Sequence, residues 1–193
     1  MEELNLTGTI DTKSNNVKNG MMFGLIIGLV YCVSLFLRYN MLSMGPIMMA
    51  VIAFLFYCLA IGLLVFCGLK RRKELGGFIS LRDAFQTIFV AVLIGELIYL
   101  VFNFIYLKYI EPDFMDKFMR ATENWIEKSG LSETKKDETL EKMRTQMQNQ
   151  QDKGLTLKGT VMSYLIWVCI TGVFGFIVAL IIRKRKPVFD AAL

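Results

Sequence analysis

"AVLIGELIYLVFN", residues 91–103, is an apolar run with one carboxylic acid, Glu96, in the middle of it. Its meaning depends on whether it lies in a soluble core or in a lipid bilayer, and its surroundings decide. The run sits inside a longer apolar block, Ala84–Leu107, and three similar blocks follow the chain order as Gly20–Leu37, Gly45–Leu69 and Gly159–Ile182. A bilayer core of about 30 Å needs about 20 apolar residues in helical form. The blocks are 18 (20–37), 25 (45–69), 24 (84–107) and 24 (159–182) residues long, so each is long enough to span. The whole chain is 54% hydrophobic over 193 residues with mean hydropathy +0.47, against about 45–50% for an average soluble domain. The fold class expected is an all-α membrane protein: four transmembrane helices with an extracytoplasmic helical hairpin between the third and fourth.

The first block could instead be a cleaved signal peptide, which would need a basic leader and a small-residue cleavage site. Its leader carries Glu2, Glu3 and Asp11, and "SLFLRYN" follows it, so a retained helix is expected. Basic residues in short loops set orientation. Lys13 and Lys18 lie in the leader, Arg38 alone in the loop after the first span, Lys70, Arg71, Arg72, Lys73 and Arg82 in the next, and Arg183, Lys184, Arg185 and Lys186 in the tail. That pattern assigns 1–19 as a cytoplasmic polar tail, 70–83 as a cytoplasmic basic loop and 183–193 as a basic cytoplasmic tail. The segment 108–158 balances ten Lys/Arg with ten Asp/Glu and is expected on the other side, as a periplasmic helical hairpin.

Several function classes lose their ground here. The chain has no histidine, which removes the commonest general base and metal ligand. Its four cysteines, Cys32, Cys58, Cys67 and Cys169, all fall within spans, where they suit packing better than a disulfide framework or zinc. No glycine-rich phosphate loop or nucleic-acid module is present, and the net charge of +5 comes from membrane-flanking clusters. No enzyme activity, cofactor, metal or nucleic-acid partner is expected.

Glu96 lies twelve residues from the start of its block (84 to 96), about 18 Å into the bilayer at ~1.5 Å per residue. A charged acid there costs a few kcal/mol or more, and no Lys or Arg lies within the four blocks, so the expected form is the neutral acid. Its hydrogen bonds need partners. The same depth falls near Tyr31 and Cys32 in the first span, Tyr57 and Cys58 in the second and Thr171 in the fourth, while Tyr99, Asn103 and Tyr106 continue one stripe of the third helix. A polar seam of Glu96, Asn103, Tyr31, Tyr57 and Thr171 is therefore expected. It reads either as interhelical hydrogen-bonding glue or as a functional site such as a proton relay.

Gly20, Gly24, Gly28 and Cys32 recur every four residues, a ribbon that permits close helix approach, and Gly172, Gly175 and Ala179 mark the fourth span. The ribbon serves either packing within one protomer or a homodimer. In the exported segment, Pro112 with Asp113 and Asp116 marks a helix start, Phe114, Phe118, Ala121 and Trp125 share one face, and Gly130 ends it. Ser132 caps a second helix whose Leu140, Met143 and Met147 form a thin apolar stripe closed by Gly154. Phe114, Phe118, Trp125, Met143 and Met147 are the candidate contacts for a protein partner or the membrane surface, with self-packing between the two helices as the alternative.

The order of these features carries a resemblance. A basic loop runs into "GGFISLRDAFQT", residues 76–87; the third span ends in "FNFIYLKYIEPDFMDKF", residues 102–118; a Met- and Gln-rich charged segment and a last span with a basic tail follow. The chain resembles the bacterial domain-of-unknown-function family four-one-nine-nine, small four-helix membrane proteins of Gram-negative cells, over roughly Lys18 to Lys186, and "YIEPDF" at 109–114 is the most specific piece. The resemblance implies an inner-membrane location and a four-helix architecture, and no activity. The function expected is a multi-pass scaffold or accessory subunit that binds an envelope partner through its hairpin. The alternative is a small oligomeric carrier or channel built on the seam around Glu96.

Overall fold

The structure, a computed structural model, describes residues 2–130, 132–154 and 157–185, without the side chains of 2–13, 43, 147–154 and 157. The described residues form α1 (Glu2–Asn40), α2 (Pro46–Glu74), α3 (Leu81–Ile105), α4 (Phe114–Glu127), α5 (Glu133–Gly154) and α6 (Leu157–Ile182). Among the described residues, four segments are long and apolar enough to cross a membrane: Ser14–Asn40, Pro46–Glu74, Leu81–Ile110 and Lys158–Ile182. Large apolar side chains such as Leu29, Phe54, Phe66, Val173 and Ile181 are exposed on their outer faces. A water-soluble bundle does not carry that much apolar surface; with the span lengths, it marks a membrane protein.

The register of side-chain contacts gives the topology. Asn16 reaches Asp83 and Tyr39 reaches Asn103, so α1 and α3 run parallel. Phe23 meets Phe66 and Tyr31 meets Tyr57, so α2 runs against α1. Glu96 meets Thr171 and Ile79 pairs with Lys184, so α6 runs against α3. α3 packs against all three other spans and lies at the centre of the core, where Ile88, Ala91 and Val92 meet Ile27, Leu64 and Val178.

The helix ends explain the boundaries. The polar leader and the first span form one helix, because nothing between Glu2 and Asn40 breaks it; Gly20, Gly24 and Gly28 are tolerated where a neighbour packs against them. The block 20–37 thus ended too early, and Arg38 belongs to the helix. Gly45 and Pro46 then start α2 after a 3-10 turn at Leu42–Met44. α2 ends at Gly76 and Gly77, with φ of 76° and 88°, a left-handed conformation that an ordinary side chain resists. α3 passes into one turn of π-helix, Tyr106–Ile110, closed by Glu111 N–H donating to Tyr106 O at 2.8 Å. Pro112 stops the chain from continuing straight.

The glycine ribbon faces α3. A Cβ on Gly24 would lie 2.7 Å from Ile94 Cβ and 2.9 Å from Ala91 O, and one on Gly28 2.8 Å from Ile98 Cβ. Gly175 meets Ile88 in the same way, and Gly172 faces the Phe89 ring. The ribbon packs against α3 within the chain, the packing alternative of the two, and van der Waals contact between backbones is what binds helices in lipid. Gly24→Ala is expected to cost about 1–3 kcal/mol by overpacking, whereas Gly62→Ala, with nothing within 4 Å, is expected to be neutral. Thermal melts of the two variants in detergent check this; equal melting points would contradict it.

Candidate functional site

Ser80 opens α3: its hydroxyl accepts from Asp83 N–H at 3.1 Å and donates to Asp83 Oδ2 at 2.5 Å. The helix carries Glu96 into the bundle, where it is 5% exposed. Thr171 Oγ1 on α6 donates to Glu96 Oε1 at 2.9 Å. A threonine has one hydroxyl proton, so in the 3.1 Å contact between Tyr57 and Thr171 the tyrosine of α2 is the donor. With the acid accepting from Thr171, the order is Tyr57 to Thr171 to Glu96. Tyr31 of α1 closes the group, its ring 6.4 Å from Tyr57 and 5.9 Å from Tyr99. Tyr164 of α6 donates to Leu93 O at 3.1 Å. All four spans contribute to the surroundings of this one carboxyl group.

Tyr39 donates to Asn103 Oδ1 at 2.5 Å, so Asn103 is not bonded to Glu96 directly but lies farther along the seam: seven residues along α3 separate the two by about 10 Å. Between them lies Tyr99, with the Arg38 guanidinium of α1 beside it. Arg38 Nε is buried and has no hydrogen-bond partner. Toward the end of the helix, Tyr106 donates to Glu111 Oε2 at 3.1 Å and Lys117 donates to Glu111 Oε1 at 2.6 Å. Glu96, Tyr99, Asn103, Tyr106 and Glu111 thus mark a polar column along α3 toward α4.

A second polar cluster closes the opposite end. Arg71 of α2, 4% exposed, donates from Nε to Asn16 Oδ1 at 2.6 Å, and Asn16 donates to Asp83 Oδ1 at 3.0 Å. Glu74 takes Arg71 Nη1 at 3.0 Å and Asn19 at 2.6 Å. Arg72 reaches Ile182 O at 3.4 Å and Gly77 O at 3.1 Å. Sequence reasoning counted Arg71 and Arg72 as loop charge and missed this cluster, together with Arg38 and Tyr39. The signal was present: Asn16 precedes Gly20 by one four-residue step of the ribbon, and Arg38 follows Tyr31 by seven residues on the same face.

The candidate surface contacts divide. Phe114 is buried, its ring 4.1 Å from Tyr39, so its role as an exposed contact is corrected. An aromatic residue next to the Pro112 turn finds the end of the bundle before it finds a partner. Phe118 is half-buried, 6.1 Å from Phe114, and Trp125 is 40% exposed with Cδ1 3.3 Å from the Cβ position of Gly45. Met143 is half-buried on α5, and the side chain of Met147 lies outside the described residues. Among the described residues, no group of three His, Cys, Asp or Glu comes together as a metal site would need.

Removing Thr171 orphans Glu96 Oε1 and the Tyr57 hydroxyl together. Thr171→Val is therefore expected to cost about 1–2 kcal/mol, while Tyr57→Phe, which frees only an acceptor, costs about half as much or less. Thermal melts rank them, and Tyr57→Phe proving the costlier would contradict the donor order. The Lys117 ammonium holds the Glu111 carboxyl below its usual 4.5. A lowered value means that folding favours the ionised form; that contribution is complete above about 4.5 and lost as pH falls through the lowered value. In a Trp167→Phe background, Trp125 fluorescence is expected to shift red as acidification passes below the usual carboxyl value of 4.5 and through the lowered one, and Lys117→Gln to move that step back toward 4.5. A step at the same pH in Lys117→Gln would contradict it.

Residues 19–184 match the family model described as a protein of unknown function, DUF4199. No curated protein and no solved structure matches the chain. The family match spans most of the sequence, from the end of the polar leader to the basic residues after the last span, and the protein belongs to the DUF4199 family.

Proposed function

We propose that the protein is a non-enzymatic scaffold or accessory subunit of a bacterial inner membrane, with both termini cytoplasmic and with α4 and α5 forming a periplasmic helical hairpin that engages another envelope protein. The carrying observation is α5. It is a helix of 22 residues whose described side chains are charged or polar on most sides. Its described ties to α4 are Arg144 to Glu123, at 2.6 Å, and Lys136 Nζ to Glu127 O, at 3.1 Å. Exposed ion pairs of this kind stabilise little, and a mostly polar helix gains most of its stability from what it leans on. α4 supplies part of that support, being seated by Phe114 and Trp125 on the end of the bundle. Leu140 and Met143 leave a thin half-buried stripe for a partner helix. The orientation rests on the basic residues of the 70–83 loop and of the tail. The non-enzymatic reading rests on a chain without histidine whose cysteines all lie in spans.

The alternative, a small oligomeric carrier or channel around Glu96, draws on the hydrogen-bonded chain of Tyr57, Thr171 and Glu96. A transport path needs continuation on both sides of that acid. The apolar layer on the basic-loop side of Glu96, described below, favours the scaffold.

Cross-linking mass spectrometry on the tagged protein in its native membranes tests the proposal. Links from Lys128, Lys135 or Lys142 to a second protein are expected, and a chain lacking residues 112–152 is expected to lose that complex while still inserting. Retention of the complex by the shortened chain would refute the proposal.

A further inference from the structure

Along α3 itself, the polar side chains near Glu96 lie on one side of it, and on the other the Tyr164 hydroxyl reaches no farther than Leu93 O. Toward α4, polar side chains of α3 recur at Tyr99, Asn103 and Tyr106 before Glu111. Each step of three or four residues rises about 4.5–6 Å, a distance that one water bridges with two hydrogen bonds. The column gains an unused donor at Arg38 Nε and a second hydroxyl at Tyr39, which holds Asn103.

Toward the basic-loop end the arrangement reverses. Residues 88–95 are all apolar, and the next polar side chain on α3 is Thr87, whose hydroxyl is spent on Asp83 O at 2.9 Å. That leaves about 13 Å of helix without a polar side chain. Ile88, Ala91 and Val92 are within 2% of complete burial and pack with Ile27 of α1, Leu64 of α2 and Val178 of α6. Interiors packed this way do not hold water, because an apolar void stays dry.

We propose that Glu96 is a proton-binding site that exchanges with water only through the α4 end of the bundle, along the Tyr99–Asn103 column, and is sealed from the basic-loop end. In the deprotonation step the O–H bond of the Glu96 carboxyl breaks, the acid keeps the electron pair, and water in the column takes the proton out past Tyr106. Thr171 keeps donating to Oε1, and the Arg38 guanidinium of α1, beside Tyr99, puts a cation on the side by which the proton leaves. The groups facing the acid from each neighbouring helix are Tyr31 on α1, Tyr57 on α2, Tyr99 on α3, and Tyr164 and Thr171 on α6, with Arg38 of α1 beyond them beside Tyr99. Gain or loss of that one proton on Glu96 changes the charge of the column by a full unit.

The test is infrared difference spectroscopy on the full chain in sealed proteoliposomes, with pH set independently on the two sides. Orientation is read from tryptic cleavage of α5. The carboxyl C=O band absent in Glu96→Gln is the signal; should that variant not fold, Thr171→Val identifies the same band by shifting it. The band is expected to vanish when the α4 face alone is made alkaline, and to persist when only the basic-loop face is. Arg38→Gln is expected to slow or suppress the response at least tenfold. A band that follows the basic-loop face, follows both faces equally, or ignores pH on either would overturn the proposal.

Discussion

The close approach of α1 to α3 is the contact on which the remaining structure depends. Three glycines, Gly20, Gly24 and Gly28, let the backbone of α1 lie against Val90, Ile94 and Ile98. In lipid no hydrophobic gain rewards such pairing, so it must come from the number of atoms brought into contact. Once the two helices meet in parallel, their ends are placed as well. Asn16 arrives at Asp83 on one end and Tyr39 at Asn103 on the other, so polar groups that would be costly in hydrocarbon find partners. The polar clusters at both ends of the bundle follow from the apolar packing between them.

That arrangement also accounts for the asymmetry around Glu96. The glycine-lined contact excludes water over the stretch from Gly20 to Gly28, and the aromatic and polar residues begin where the ribbon gives way to Tyr31. A buried acid at this border has apolar packing on one side and hydroxyl groups on the other. Tyr39 extends the polar side to the periphery, since its hydroxyl holds Asn103 and its ring carries Phe114, the first residue of α4. The interior of the bundle and the seat of α4 therefore share one side chain.

Much of this was legible in the sequence, for a physical reason: four apolar blocks of membrane-spanning length admit few structures other than helices. Glu96 and its level on the other spans could be found by counting residues from the helix ends, and Tyr57 and Thr171 emerge in one hydrogen-bonded chain with it. What counting could not supply was rotation about each helix axis. Asn103 lies on the same stripe as Glu96 yet is held by Tyr39, and Phe114 sits on an amphipathic face yet turns inward at the Pro112 bend. Arg38, Arg71 and Arg72 were hidden by a rule that counts basic residues at the membrane edge and does not ask where the guanidinium goes. Arginine buries and bonds in ways its charge alone does not announce.

The central claim, that the glycine ribbon joins α1 to α3 within one protomer, is tested most directly by disulfide cross-linking in native membranes. Cysteines at 28 and 98, in a chain whose four native cysteines are replaced, would have Cβ positions 2.8 Å apart. That is about an ångström short of the usual disulfide span, a gap a small backbone shift closes. The account predicts a bond within the chain, seen as a monomer-sized band with altered mobility that reduction reverses. A covalent dimer in its place would put the ribbon between two copies and contradict the account.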